Sequence, residues 1–161
     1  MKSISIRKIQ PGDNAAIAQV IRTVFEEEGY PRTGTAYADP QLASLYETYQ
    51  APKSLYFVVE MEGQIQGGGG IAPLDKGDTA TCELQKMYFL PDVRGKGVGQ
   101  QLIQQCLTAA VQLGYHHCYL ETLPQMKAAQ HVYQKMGFTY LDAPMGSTGH
   151  TSCPVWMIKS L

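Results

Sequence analysis

A chain of 161 residues is the size of one domain and can bury a sizeable core, and 44% hydrophobic with 17% charged residues is the balance of a folded, water-soluble protein. Its 13 Lys and Arg against 14 Asp and Glu leave a net charge of -1, which excludes a general affinity for nucleic-acid backbone or for an anionic membrane surface. No run approaches the ~20 apolar residues of a membrane span, the N-terminal residues read as free of a secretory signal, and Cys82, Cys106, Cys118 and Cys153 form no CxxC pair, so the expectation is a reduced, cytoplasmic protein with no metal.

The segment "SISIRKI" (3–9) alternates polar and apolar residues and predicts a first strand. Asp13 is placed to cap a helix with Ile17, Val20, Ile21, Val24 and Phe25 on one face, ending near Gly29. After the loop "EEEGYPRTGTAYADP" (26–40), Asp39 is expected to cap a second helix with Pro40 at its first position and Leu42, Leu45, Tyr46 and Tyr49 on one side, closed by Pro52. "SLYFVVEMEGQIQGGGGIAPL" (54–74) reads as two strands joined at Glu62-Gly63, a hairpin signal. Four consecutive glycines, Gly67 to Gly70, are poor strand formers and point to a bulge or to a close approach on the backbone.

"TCELQKMYFL" (81–90) is a third apolar strand. The stretch "RGKGVG" (94–99) follows and opens a helix with Leu102, Ile103, Cys106, Leu107, Ala110 and Val111 on one face and Gly114 as its C-terminal cap. "HHCYLET" (116–122) predicts a strand, "QMKAAQHVYQKMG" (125–137) a helix, "FTYL" (138–141) a strand, and "VWMIKS" (155–160) a last strand after the loop "DAPMGSTGHTSCP" (142–154). With no repeat, linker or low-complexity segment, residues 1–161 form one mixed α/β domain.

Three phosphate-binding readings compete for "RGKGVG". A Walker loop fails, because Gly99 is followed by Gln100 and Gln101 rather than by Lys and a hydroxyl residue. A dinucleotide turn needs GxGxxG in a βαβ unit, whereas the spacing is GxGxG among meander-like strands. The third is a strand, a glycine-rich turn and a helix N-terminus, whose free N–H groups converge on an anion. A basic, solvated turn stands beside it, and the spacing alone does not separate the two.

The wider pattern does separate them. "ELQKMYFLPDVRGKGVGQQLI", then "YLET", then "AAQHVYQKMGF" resemble the GNAT superfamily of acyl-CoA-dependent N-acyltransferases. The family's [Q/R]-x-x-G-x-[G/A] motif is matched by Arg94, Gly97 and Gly99, and its later tyrosine-bearing helix by residues 127–138. The resemblance covers the last half of the chain at motif level and nearly all of it in element order. It implies an α/β fold: one GNAT-like domain with a central mixed, mostly antiparallel sheet of about seven strands flanked by about four helices. One departure is Met126, where the family often has asparagine seven residues before the helix tyrosine.

The resemblance implies acetyl-CoA as cosubstrate, bound by Met87, Tyr88 and Phe89 on the strand, by Arg94, Gly95, Lys96, Gly97, Val98, Gly99 and Gln100 in the turn, and by Ala129 on the later helix. Glycines at 95, 97 and 99 would leave room for phosphate or adopt φ values closed to other residues. It also implies direct transfer to a primary amine, with Glu83 as base through water and Tyr133 as acid to the departing thiolate, while the Met87 N–H polarises the thioester carbonyl. Without the resemblance, Glu83 reads as a solvent-facing or structural strand residue and Tyr133 as a core aromatic.

The acceptor, a small-molecule or peptide amine, would meet Tyr30, Arg32, Tyr37, Tyr46 and Tyr49 from the first two helices and their loop, with Glu121 at the end of a strand. Glu26 to Glu28 would attract a cation or simply be solvated. His116, His117 and His131 offer no strong base, and His150 with Cys153 reads as a loop turn ahead of a Cys–His nucleophile pair. A homodimer fits the family. The alternative to an enzyme is a catalytically silent acyl-CoA-binding module.

Overall fold

In a computed structural model, which describes residues 2–161, the alternating N-terminal segment is strand β1 (Ile4–Lys8). Helix α1 (Asn14–Glu28) buries Ile17, Val20, Ile21, Val24 and Phe25, as their spacing requires. Asp13 does stand at the N-cap, but its carboxylate does not cap the helix; it accepts from Arg7 Nη1 at 2.8 Å and from the Gln10 N–H at 2.7 Å.

The expected second helix is a correction. Residues Leu42–Ser44 form a 3₁₀ turn and only Leu45–Thr48 (α2) is α-helical. Leu42, Leu45 and Tyr49 are buried all the same, so the apolar spacing reported burial rather than continuous helix. A segment this short gains little from helix propagation. Nor does Asp39 cap it, because that side chain is committed elsewhere.

Strands β2 (Leu55–Met61) and β3 (Gln64–Pro73) form the expected hairpin, with Glu62 at φ 51° and Gly63 at φ 78°, the doubly left-handed turn that matches strand twist. Strand β4 (Thr81–Phe89), helix α3 (Val98–Gln112), strand β5 (His117–Thr122), helix α4 (Lys127–Lys135) and strands β6 (Thr139–Leu141) and β7 (Val155–Ser160) complete the chain. The seven strands run in the order β1-β2-β3-β4-β5-β7-β6, antiparallel except for β4 with β5. One core lies between the sheet and α3 with α4, and includes Leu102, Ile103, Cys106, Tyr133 and Phe138. The other lies under α1 and α2, and includes Ile17, Phe25, Leu45, Tyr49 and Tyr56.

The glycine run is explained by close approach. A Cβ on Gly68 would stand 2.6 Å from Tyr56 Cε1, and one on Gly70 would stand 2.7 Å from Tyr56 Cδ2, so the Tyr56 ring lies flat across β3. On the other face, Cβ atoms on Gly67 and Gly69 would meet Phe89 and Met87. The bulge itself is in β4: Gly68 pairs with Tyr88 and Gly70 with Gln85, so Lys86 and Met87 together oppose Gly69. Lys86 takes φ 51°, and its carbonyl accepts a hydrogen bond from Tyr56 Oη at 2.8 Å.

Candidate active site

Strand β4 carries Cys82 and Leu84 toward the α3 core, so Glu83 and Gln85 face the α1–α2 side. The bulge then inserts one residue. Lys86, which strict alternation would send to the α3 side, turns to the same face as Glu83 and Gln85, and Met87 returns to the α3 core. Three polar side chains, Glu83, Gln85 and Lys86, therefore share one face of a strand.

The pairing of β4 with β5 is short. It covers Thr81–His117, Cys82–Cys118 and Glu83–Tyr119 and then stops, so the strands part from Leu84 onward. Glu83 sits at the point of separation. Its register partner Tyr119 and the next residue on that face, Glu121, bring a second carboxylate there, held by Tyr119 Oη at 2.6 Å and by the Thr148 hydroxyl. Glu121 is thus a half-buried, doubly hydrogen-bonded group, not a solvated strand terminus.

Glu83 is 4% exposed and accepts one hydrogen bond, from Gln85 Nε2 at 2.7 Å; Gln85 Oε1 in turn accepts from Tyr49 Oη at 2.6 Å. Burial raises the Glu83 carboxyl from 4.5 to about 7, a rise that the Gln85 bond and the nearby His150 oppose and Glu121 reinforces. A carboxyl in that range is half ionised at neutral pH, where both directions of proton transfer are accessible.

Three further groups converge here. Lys86 Nζ lies 2.9 Å from Asp39 Oδ2, with only 7% of the Lys86 side chain exposed. His150 Nε2 lies 3.0 Å from both Asp39 oxygens. Burial by itself would raise Asp39, yet His150 and Lys86 hold it below the ordinary carboxylate value. One nitrogen of His150 and one oxygen each of Glu83 and Glu121 lie within 4.8 Å of one another. The loop turn expected at His150 and Cys153 is present: the Cys153 N–H donates to the His150 carbonyl at 3.1 Å, Cys153 is a buried thiol raised by desolvation to about 12, and the His150 ring is hydrogen-bonded to Asp39 rather than to a nucleophile. Asp39 and Lys86 were not read as site residues. A signal for Lys86 existed: in "ELQKM" polar residues stand at 83, 85 and 86, and the broken alternation marks the bulge.

Tyr133 projects from α4 into the α3 core, 5% exposed, its ring 5.9 Å from Phe138. Glu83 and Tyr133 thus lie on opposite faces of the sheet, whose β4–β5 pairing ends at Glu83. The Tyr133 hydroxyl has no hydrogen-bond partner among the described residues and is not among the sealed, unpaired polar atoms, so it remains open to a partner from outside. Burial keeps its proton on well past the ordinary phenol value.

In the glycine turn, Gly95 at φ 72° and Gly97 at φ 76° are left-handed, and a Cβ at either would point into open space. Gly97 is the N-cap of α3, and intrahelical bonding begins at the Gln101 N–H, which leaves the preceding N–H groups of Val98, Gly99 and Gln100 free. At Gly99 φ is not left-handed, and a Cβ would make ordinary contact with the Phe89 ring at 3.7 Å. Its smallness therefore matters only toward a ligand. Arg94 folds back, Nε donating to the Phe89 carbonyl at 2.8 Å and Nη1 reaching Glu28 at 3.1 Å; Lys96 donates to the Asp92 carbonyl. A groove of about 620 Å³ bordered by Gly97, Gln100, Gln101 and Met136 continues from the turn along α3.

The remaining candidates are dispersed. Tyr30, Tyr37 and Tyr88 pack around Phe25 at 5.7, 5.8 and 5.1 Å, and Arg32 lies over the Tyr37 ring. The side chain of Tyr88 therefore belongs to the α1 face, leaving only its backbone toward the strand gap. Ala129 is half-buried on α4, and Met126, at the α4 N-cap, meets the Thr122 hydroxyl through its sulfur at 3.5 Å. No helix among the described residues is long and apolar enough to cross a membrane.

Comparison with known proteins agrees with this architecture. Uncharacterized N-acetyltransferase YjgM of Escherichia coli is 45% identical over 157 residues, covering 97% of this chain and 94% of the relative. An uncharacterized N-acetyltransferase of Schizosaccharomyces pombe is 28% identical over 84% of this chain and 82% of its own length. A GNAT acetyltransferase structure from Staphylococcus aureus superposes with TM-score 0.87 over 99% of both chains at 18% identity. The Salmonella typhimurium protein yncA, solved with its cofactor acetyl-CoA, superposes with TM-score 0.77 over 99% of this chain and 94% of that one at 22% identity. The family model described as the acetyltransferase (GNAT) family matches residues 17–138, from α1 through the tyrosine-bearing α4, and the chain belongs to that family of acyl-transferring enzymes.

Proposed function

We propose that the chain transfers the acetyl group of acetyl-CoA directly to a primary amine, with Glu83 as base and Tyr133 as acid. One observation carries the reading: a buried carboxyl with a pKa near 7 stands where β4 and β5 separate, and an unpartnered, protonated phenol lies on the other side of that gap. The residues present fit the donor. Left-handed Gly95 and Gly97 have open space beside them, and the free N–H groups of Val98, Gly99 and Gln100 at the start of α3 suit a pyrophosphate. Backbone of Met87, Tyr88 and Phe89, along the edge of β4 without a strand partner, suits a pantetheine arm, with Ala129 across the gap. When bound, acetyl-CoA supplies a thioester whose carbonyl carbon accepts the amine lone pair.

Glu83, ionised above about pH 7, removes a proton from the acceptor's ammonium group, through water where the amine stands off. Glu121, fixed by Tyr119 and Thr148, offers a second carboxylate to the same cation. Tyr133 gives its proton to the thiolate as it leaves, and the second proton that the nitrogen sheds in becoming an amide restores the phenol. The aromatic side chains of Tyr30 and Tyr37, with Arg32, form the outer wall on the acceptor side.

The test is thiol release from acetyl-CoA with a panel of small amines, amino acids and peptides, repeated with Glu83→Gln and Tyr133→Phe. The expected result is turnover with at least one amine, lost in both variants with acetyl-CoA binding retained. Binding of acetyl-CoA without turnover on any amine would instead make the chain a silent acyl-CoA-binding module.

A further inference from the structure

Acylation of an amine that arrives as an ammonium ion yields an amide, a thiol and one free proton. That proton must leave the site in every turnover. Glu83, the group that collects it in the reading above, is 4% exposed, and its one hydrogen bond leads through Gln85 to the buried Tyr49, away from solvent.

The charged and titratable groups facing Glu83 differ in what they can accept. On β4, Lys86 is an ammonium ion held by Asp39 and has no lone pair to offer. On β5, Glu121 takes hydrogen bonds on both oxygens, from Tyr119 and Thr148. On the β6–β7 loop, Cys153 is a buried neutral thiol. From α2, Tyr49 donates to Gln85 and burial holds its proton. The remaining group is His150, on the same loop. One of its ring nitrogens lies within 4.8 Å of a carboxylate oxygen of both Glu83 and Glu121, and Nε2 lies 3.0 Å from Asp39 on the loop after α1. A span of that order is crossed by one bridging water. Some 16% of the His150 side chain is exposed, which gives it the opening to solvent that Glu83 lacks.

The loop is built to hold this ring. The Thr148 hydroxyl accepts from the His150 N–H at 3.1 Å and itself donates to Glu121, the Cys153 N–H closes a turn onto the His150 carbonyl at 3.1 Å, and the Ser152 N–H reaches the Gly34 carbonyl at 3.0 Å. Asp39 can only accept, so Nε2 carries the hydrogen and Nδ1 keeps its lone pair.

We propose that His150, oriented by Asp39, is a positioning residue that acts through Glu83, carrying the proton of each turnover from the buried carboxyl to solvent. The step is a simple proton balance. The Glu83 carboxylic acid gives its proton, directly or through one water, to Nδ1 of neutral His150; Glu83 returns to carboxylate, and an imidazolium forms, paired with Asp39. The imidazolium then releases one proton to solvent and returns to the neutral ring. Burial disfavours the charged ring, but the Asp39 hydrogen bond together with the charges of Asp39 and Glu83 outweighs it and raises His150 above its ordinary value. The same charges stabilise the imidazolium that the transfer forms.

This inference rests on Glu83 being the base, and the variants separate the two ideas. With acetyl-CoA and the best amine from the panel, His150→Gln is expected to lose about tenfold or more in kcat while KM for both substrates stays within about twofold. His150→Ala is expected to regain kcat on addition of imidazole, in proportion to its concentration, with no such gain for the parent. The proposal is overturned if His150→Gln keeps the parent kcat. It is equally overturned if His150→Ala is inactive, melts at a lower temperature and gains nothing from imidazole, since the ring would then only anchor the loop. A fully active Glu83→Gln enzyme would refute the base itself, whatever His150 does.

Discussion

Replacing Glu83 by glutamine should make the protein more stable and less active at once. In the folded chain the carboxyl holds its proton up to about pH 7, whereas an unfolded glutamate releases it near 4.5. Below pH 4.5 both states are protonated and the group has no net effect. Between 4.5 and 7 the unfolded chain ionises while the folded one does not, so stability falls as pH rises, and above 7 the full cost of burying a carboxylate is present. The gap between 4.5 and about 7, at about 1.4 kcal/mol for each tenfold in proton affinity, is about 3 kcal/mol. Glutamine keeps the shape and can still accept the Gln85 bond but never ionises. The variant should match the parent near pH 4.5 and exceed it at pH 8.5 by up to about 3 kcal/mol, or up to roughly 6–12 °C in melting temperature for a chain of this size. Thermal unfolding followed by circular dichroism from pH 4.5 to 9 measures this. In parallel, kcat/KM of the parent should rise tenfold per pH unit below about 7 and then flatten, and glutamine should remove that limb with a loss of about 10²–10⁴. A difference in melting temperature that does not change with pH would refute the assignment of a buried carboxyl titrating near neutrality.

Tyr133→Phe should lose about 10²–10⁴ in kcat, with acetyl-CoA affinity by calorimetry and melting temperature both kept, because the hydroxyl has no partner in the chain and the ring still meets Phe138; a normal kcat would remove it as the acid. Gly97→Val forces a β-branched residue to φ 76° at the N-cap of α3, costing about 1–2 kcal/mol, and should abolish CoA binding in a folded protein; an unchanged dissociation constant would refute the phosphate assignment. Gly68→Ala places a methyl 2.6 Å from the Tyr56 ring and 2.8 Å from the Phe57 carbonyl, which should cost about 1–3 kcal/mol by overpacking and be seen in urea unfolding. It should also lower kcat, since Tyr56 holds the Lys86 bulge.

Much of this architecture can be read along the chain because its causes are local. The period-two alternation of "SISIRKI", the helical face of Ile17 to Phe25 and the Glu62-Gly63 turn each depend on residues within a few positions of one another, and each appears in the structure as its own pattern requires. The same holds for the glycines at 95 and 97, whose left-handed torsions are a property of the residue itself. Local reasoning failed where two local causes compete. The spacing of Leu42, Leu45 and Tyr49 recorded their burial correctly, but the backbone reached it through a 3₁₀ turn and one turn of α-helix, with Asp39 drawn away from any capping role.

The electrostatics of the site belong to a different level. Asp39, Lys86 and His150 meet only because a bulge turns Lys86 toward the α1–α2 face, the loop after α1 lies over that face, and the β6–β7 loop folds back beside Glu121. No spacing in the sequence expresses that convergence. Glu83 is recognisable by its position in the strand, but its proton affinity is set by desolvation, by Gln85 and by a histidine 67 positions away, since 150 − 83 = 67. Periodicity and turn chemistry act through neighbouring bonds and so are written in order along the chain. Burial and Coulomb interaction act through space, and only the folded sheet determines which charges share it.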